Sequence, residues 1–153
     1  MAITKERRNH LIRLADKALN EQKIILRTKI DNEGKMSQEI LESYNGQVAS
    51  LSVSIAMTGL LPTLAIFYQD KPDSNTKKAY RRNVLDAVAR MITADENKEQ
   101  DWDFSQNNKF AENMMAYAVD PSKSDKLDAL TKKMVECAIA LKLVVRTYNL
   151  VKS

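Results

Sequence analysis

The stretch MTGLLPTLAIFYQDK, residues 57–71, decides how this chain is read. It closes a run with no charged residue between Glu42 and Asp70. That run is mostly apolar over roughly the twenty positions a helix needs to cross a bilayer. A membrane span, a buried pair of helices and a surface for another molecule are the three readings open to it. Ser50, Ser52, Ser54, Thr58 and Thr63 dilute the run, and Gly59 and Pro62 interrupt it. Pro62 has no amide hydrogen and disfavours helix at Leu61, yet it suits the first turn of a new helix. A helix broken in lipid leaves backbone groups unpaired, and no second candidate span is present to cover them. The expectation is two helices joined by a tight turn and buried in a helical bundle, with no membrane contact.

Composition points the same way. Apolar residues make up 44% of the chain and charged residues 29%, with only 3 Gly and 3 Pro to make turns. Few, long elements follow, and the abundance of Ala, Leu, Lys, Glu and Met favours helix. The 153 residues suit a single helical domain, residues 1–153. Cys137 is the lone cysteine, so no intrachain disulfide can form and a reduced, cytoplasmic setting is expected. The opening MAITKERRNHLIRLADKAL is charged every few residues and holds no signal-peptide apolar core.

Periodicity predicts an all-α compact bundle of five to six helices. The first runs from a Thr4 cap to about Ile30, burying Leu11, Leu14, Ala18 and Ile25, with Gly34 of DNEGK as its left-handed cap. The second is capped by Ser37 and continues through Ile40, Leu41, Tyr44, Val48, Leu51 and Ile55; LSVSI alternates like a strand but is read as helix. PTLAIFYQ forms a short third helix, and a fourth runs from a Ser74 cap to about Ala94. TADENKEQDWDF, residues 93–104, reads as an exposed acidic loop in which Trp102 and Phe104 either anchor it to the bundle or touch a partner. Helices from about Ser105 to Val119 and from Ser124 nearly to the end complete the chain.

Catalytic chemistry is poorly supplied. His10, the lone histidine, lies among Arg7, Arg8 and Arg13, and Cys137 sits on the apolar side of the last helix. A Cys–His pair is the one nucleophilic arrangement available, and there is no phosphate loop, nucleophile elbow or metal-ligand spacing. Asp95, Asn97, Glu99 and Asp101 alternate like a calcium loop, but Gln100 stands where glycine is required and Gln106 where a bidentate Glu is required. No catalytic residue, metal or cofactor is therefore expected.

Basic clusters are more informative. KKAYRR places Lys77 with Arg81, and Lys78 with Arg82, one turn apart on a single helix. Arg13 with Lys17 and Lys142 with Arg146 repeat the four-residue spacing. Such stripes hold phosphates by charge and, for arginine, by paired hydrogen bonds. Solvated helix faces look the same, and with a net charge of only +4 clustering has to carry the argument. The last helix is apolar on two sides: Ile139, Leu143 and Leu150 lie opposite its core face and, with Trp102, are candidate protein-interface residues.

SYNGQVASLSVSIAMTGLLPTLAIFYQDK, residues 43–71, resembles the signature region of the small, fifth-type subunit of Cmr complexes, the type III-B CRISPR effectors. The matching residues are Tyr44, Thr58-Gly59-Leu60, Thr63-Leu64-Ala65-Ile66-Phe67 and Lys71. Departures are Leu51-Ser52 where the family often has Leu-Pro, the absence of a tryptophan in the last helix, and a longer acidic loop. The resemblance implies a non-enzymatic helical subunit that stacks in several copies along the backbone subunits and contacts CRISPR RNA and target RNA without sequence preference. Its partners would be other effector subunits, copies of itself and RNA. The alternative is a helical adaptor binding only protein.

Overall fold

Thr4 opens helix α1 (Lys5–Gln22) by accepting the Arg7 amide on its hydroxyl at 3.1 Å. In the computed structural model, which describes residues 4–23, 25–73, 78–96 and 102–152, α1 stops well before Ile30. Lys23 takes a left-handed conformation (φ 57°) and returns its amide to Leu19, and the Gln22 side chain accepts the Ile25 amide at 2.9 Å. Residues expected to extend the first two helices instead form strands β1 (Leu26–Ile30) and β2 (Met36–Leu41), paired antiparallel with Ile30 opposite Met36. Gly34 (φ 77°) serves their turn rather than a helix end. Asp31 holds that turn, its carboxylate accepting the amides of Glu33 and Lys35 at 2.9 and 2.8 Å. Ser37 is therefore a strand residue and not a helix cap.

Helix α2 (Glu42–Thr58) includes the alternating LSVSI segment, as expected, and buries Tyr44, Val48, Leu51 and Ile55. Gly59 (φ 92°, ψ 169°) ends it and starts α3 (Leu60–Gln69). Hydroxyls knit this elbow. Ser54 and Thr63 meet at 2.8 Å, Thr58 and Thr63 at 3.2 Å, and Thr58 donates back to the Ser54 carbonyl at 2.8 Å. No helix among the described residues is long and apolar enough to cross a membrane.

Helix α4 (Arg81–Ala94) starts later than its sequence pattern suggests, and the expected Ser74 cap lies outside the described residues. Asp70 does the capping: its carboxylate accepts the Arg81 amide at 2.8 Å and its carbonyl the Arg82 amide at 3.1 Å. After a short 3-10 turn (Gln106–Asn108), α5 spans Phe110–Val119. A second 3-10 turn (Pro121–Lys126), capped by Asp120, leads into α6 (Leu127–Val145). The chain then forms β3 (Asn149–Val151), parallel to β2, giving a sheet in the order β1-β2-β3. The result is the expected largely α-helical fold, with a small sheet that helical periodicity did not show.

The acidic stretch 93–104 is not uniformly exposed. Thr93 and Ala94 finish α4, Asp95 is completely buried, and Trp102 and Phe104 are each 2% exposed. Phe104 donates its amide to the Thr93 hydroxyl at 3.0 Å and packs edge-on against Tyr117. Residues 97–101, which include most of the calcium-like pattern, lie outside the described residues.

Gly59 gives a direct test of the elbow. Its backbone angles lie where residues with a β-carbon are strained, while the nearest foreign atom to such a carbon, Pro62 Cδ, is 3.9 Å away. Gly59→Ala is expected to lose about 1–3 kcal/mol from backbone strain alone. Gly46→Ala, in a helix with open space around it, is expected to gain about 0.5–1 kcal/mol. Urea unfolding midpoints, at unchanged slope, read both.

Candidate nucleic-acid interface

The first residues of α2 act as a hub. The Tyr44 hydroxyl, buried against the core, accepts the Tyr80 amide at 3.2 Å and the Asn83 side-chain amide at 2.7 Å. Gln47 donates to the Ala79 carbonyl at 3.1 Å. Both residues fix the start of α4 against the start of α2. On its other flank, Asn45 accepts from Arg146, just beyond the end of α6, at 3.4 Å. Helices α2 and α6 therefore run antiparallel, and the basic clusters around Arg81 and Arg146 come to one end of the bundle. Tyr148, beyond α6, hydrogen-bonds Asp16 of α1, while Glu21, the ion-pair partner of Lys17, also pairs with Arg90 towards the far end of α4. The amino termini of α2 and α4 also point there and add partial positive charge.

Individual side chains differ in their freedom. Lys78 precedes α4, so it is not a helical neighbour of Arg82 as the four-residue spacing suggested; Lys77 lies outside the described residues. Arg82 is half-buried. Its Nε donates to the Tyr68 carbonyl at 2.6 Å and its guanidinium lies 3.7 Å from the Tyr68 ring centre, so it positions α3 against α4. Arg81 is exposed, 3.6 Å from Asp70, and Lys17 is exposed, 3.8 Å from Glu21. Arg13 and Arg146 are exposed and Lys142 is half-buried. Exposed pairs of this kind are weak and leave the cations available to an outside anion.

The candidate interface residues separate in the same way. Ile139 and Leu143 are exposed on α6, as their spacing suggested. Leu150 belongs to β3 and packs partly against the core. Trp102 is buried and offers no surface, because it anchors the chain after α4 to the bundle.

A second polar cluster lies at the other end. The Asp95 carboxylate accepts both guanidinium nitrogens of Arg7, at 2.9 and 2.6 Å, and the Lys133 ammonium at 2.8 Å. Arg7 also donates to Glu136 at 2.5 Å, and His10 Nε2 lies 3.4 Å from Asp95. Hydrogen bonding to Asp95 is the main reason the Arg7 pKa is raised. Among the described residues no group of His, Cys, Asp and Glu is arranged to hold a metal ion. Cys137 is fully buried, and burial pushes its thiol up from 9.0 to about 12. At neutral pH it is a thiol packed in the core, unsuited to act as a nucleophile.

Residues 4–148 match the family of the CRISPR-associated protein Cas_Cmr5. The chain belongs to this family. It is thus a subunit of a Cmr-type CRISPR effector complex, with other subunits as its partners. No curated protein and no solved structure gives a significant match. The residues that carried the resemblance now have physical roles. Tyr44 ties α2 to α4, Thr58, Gly59 and Thr63 shape the elbow, and Leu64 and Phe67 bury the inner face of α3.

Removing the shared anion tests the second cluster. Asp95→Ala leaves Arg7 and Lys133 with Glu136 as their shared anion and is expected to lose about 1.5–3 kcal/mol on urea unfolding. Cys137 is expected to resist a thiol reagent at pH 8 in native protein and to react promptly once unfolded. Because its folded pKa is raised, the unfolded thiol ionises first. Its contribution to stability is unchanged below about pH 9 and falls as pH rises towards about 12, relative to Cys137→Ala.

Proposed function

We propose that the chain is a non-catalytic small subunit of a type III-B CRISPR effector, working in the cytoplasm in antiviral defence. In this reading several copies stack along the subunits that hold the guide, and contact phosphates of the guide–target RNA. The observation that supports it is that the basic turns around Arg81 and Arg146 lie at the same end of the bundle. Arg13, Lys17, Lys77, Lys78, Arg81, Lys142 and Arg146 are the proposed phosphate-facing cations, and Arg82 positions the others. Long, flexible ammonium and guanidinium groups in a mixed cluster suit a backbone of repeating charge rather than base edges, so sequence discrimination falls to pairing with the guide.

A second reading, an adaptor that binds only protein, draws on the exposed Ile139 and Leu143. The two separate by salt dependence. Complexes assembled with Lys78→Glu, Arg81→Glu, Lys142→Glu and Arg146→Glu together are expected to bind target RNA at least about tenfold more weakly at moderate salt. The slope of log affinity against log salt should fall by roughly 0.7–0.9 for each phosphate the variant no longer neutralises. An unchanged affinity and slope, with partners retained after nuclease treatment, would favour the adaptor.

A further inference from the structure

The β1–β2 hairpin leaves one edge of the sheet open. In the order β1-β2-β3, β1 has a strand on one side only among the described residues. The turn shows which backbone groups face outward. There the Asp31 amide donates to the Lys35 carbonyl at 3.0 Å, and hydrogen-bonded pairs alternate along an antiparallel ladder. Arg27 and Lys29 therefore bond across to β2, while Thr28 and Ile30 direct their amides and carbonyls away from it. Thr28, Lys29 and Ile30 are all exposed. The pairing runs without a bulge and the strand holds no proline, so its outward groups can receive another strand.

We propose that the outer edge of β1 takes an extended, acidic segment of another subunit of the effector complex, added as a further strand of the sheet. This docking does not depend on the RNA contact proposed above. Charge selects the occupant. Arg27 and Lys29 share one face of the edge, and a strand with acids at alternate positions sets opposite charges directly across from them. Glu39 already stands opposite Arg27 in β2, whereas Ser37 stands opposite Lys29, so Lys29 carries most of the selection. A second copy of this chain fits badly. Pairing two β1 edges antiparallel about Thr28 sets Arg27 against Lys29 twice, and like charges directly opposite are destabilising. RNA fits badly too, because Asp31 and Glu33 are exposed at the turn and repel phosphates. The other face of the strand is uncharged. Thr28 shares it with Ile30, 65% exposed, which stands opposite Met36, 69% exposed. Apolar residues between the acids of the incoming strand cover that pair. Size sets the strength. An edge of 5 residues is about 16 Å long, so a free peptide binds it weakly, with a Kd of about 0.1–1 mM. Tethering within an assembled complex supplies an effective concentration of about 1 mM or more and fills the edge.

Amide NMR of the nuclease-treated full chain tests this with a synthetic peptide, Thr-Val-Glu-Val-Glu-Val-Thr. The peptide is expected to shift the Thr28 and Ile30 amides, and Lys29→Glu to weaken it at least about threefold. The same peptide with lysine in place of glutamate is expected to bind wild type more weakly and Lys29→Glu more tightly. Thr28→Pro removes an outward amide and spares the ladder to β2, so the chain is expected to fold and to lose the peptide. Its unfolding midpoint checks the fold. Hydrogen exchange then reads the natural occupant. In the assembled effector complex, the Thr28 and Ile30 amides are expected to exchange at least about tenfold more slowly than in the isolated chain. No shift at these amides up to about 5 mM peptide, or equal binding of the two peptides, would overturn the proposal. So would exchange as fast in the complex as in the isolated chain. Slowing that appears only when target RNA is added would assign the edge to RNA. Slowing in the isolated chain that grows with its concentration would assign it to a second copy, and either result defeats the proposal.

Discussion

Asp95 is the constraint around which the bundle closes. A carboxylate with no exposed surface is costly unless cations and hydrogen bonds replace its water. Arg7 comes from the first turn of α1 and Lys133 from the middle of α6, and both reach the residue that ends α4. The cluster joins parts of the chain far apart in sequence and fixes where three helices meet. Glu136 completes it by accepting from the same Arg7 Nη2 that bonds Asp95. His10 and Cys137, the pair that invited a catalytic reading, border this same structural cluster.

At the opposite end the corresponding role falls to Tyr44. Its hydroxyl satisfies a backbone amide and a side-chain amide of the α4 entrance, and burial raises its pKa, so the neutral acceptor is retained at physiological pH. With α4 held on one side of α2 and the end of α6 on the other, the turns around Arg81 and Arg146 come to the same end of the bundle. The mild net charge of the chain hides this concentration. Residues 91–125 are acidic overall, and the cations lie largely elsewhere.

The charge-free central run is buried on one side only. Its inner stripe is core, as its interruption by Gly59 and Pro62 implied. Its outer side exposes Val53 and Met57, which the sequence does not reveal because a run without charge reads as wholly buried. Only solvent exposure separates Leu51 from Val53. The hairpin is hidden for a related reason. Leu26–Ile30 follows α1 with no glycine or proline between them, and the helix ends on Lys23, a residue that rarely adopts a left-handed turn. Gly34 does mark a turn in the sequence, but that turn joins two strands instead of closing a helix.

Local physics in the sequence was sufficient for much of this protein. Helical periodicity placed the six helices approximately, the Gly59–Pro62 break gave the elbow, and the 43–71 segment was enough to suggest the family. These features depend on residues within a few turns of one another. Tertiary structure alone decided the rest. It buried Asp95 inside a stretch that composition marks as exposed, chose the anchoring role for Trp102 over a partner contact, and ended α1 eight residues short of Ile30. It also gave α4 a cap from Asp70 and brought the turns around Arg81 and Arg146 to one end. Apart from the end of α1, which Lys23 and Gln22 close locally, each of those outcomes turns on a partner further along the chain, and sequence spacing measures only near neighbours.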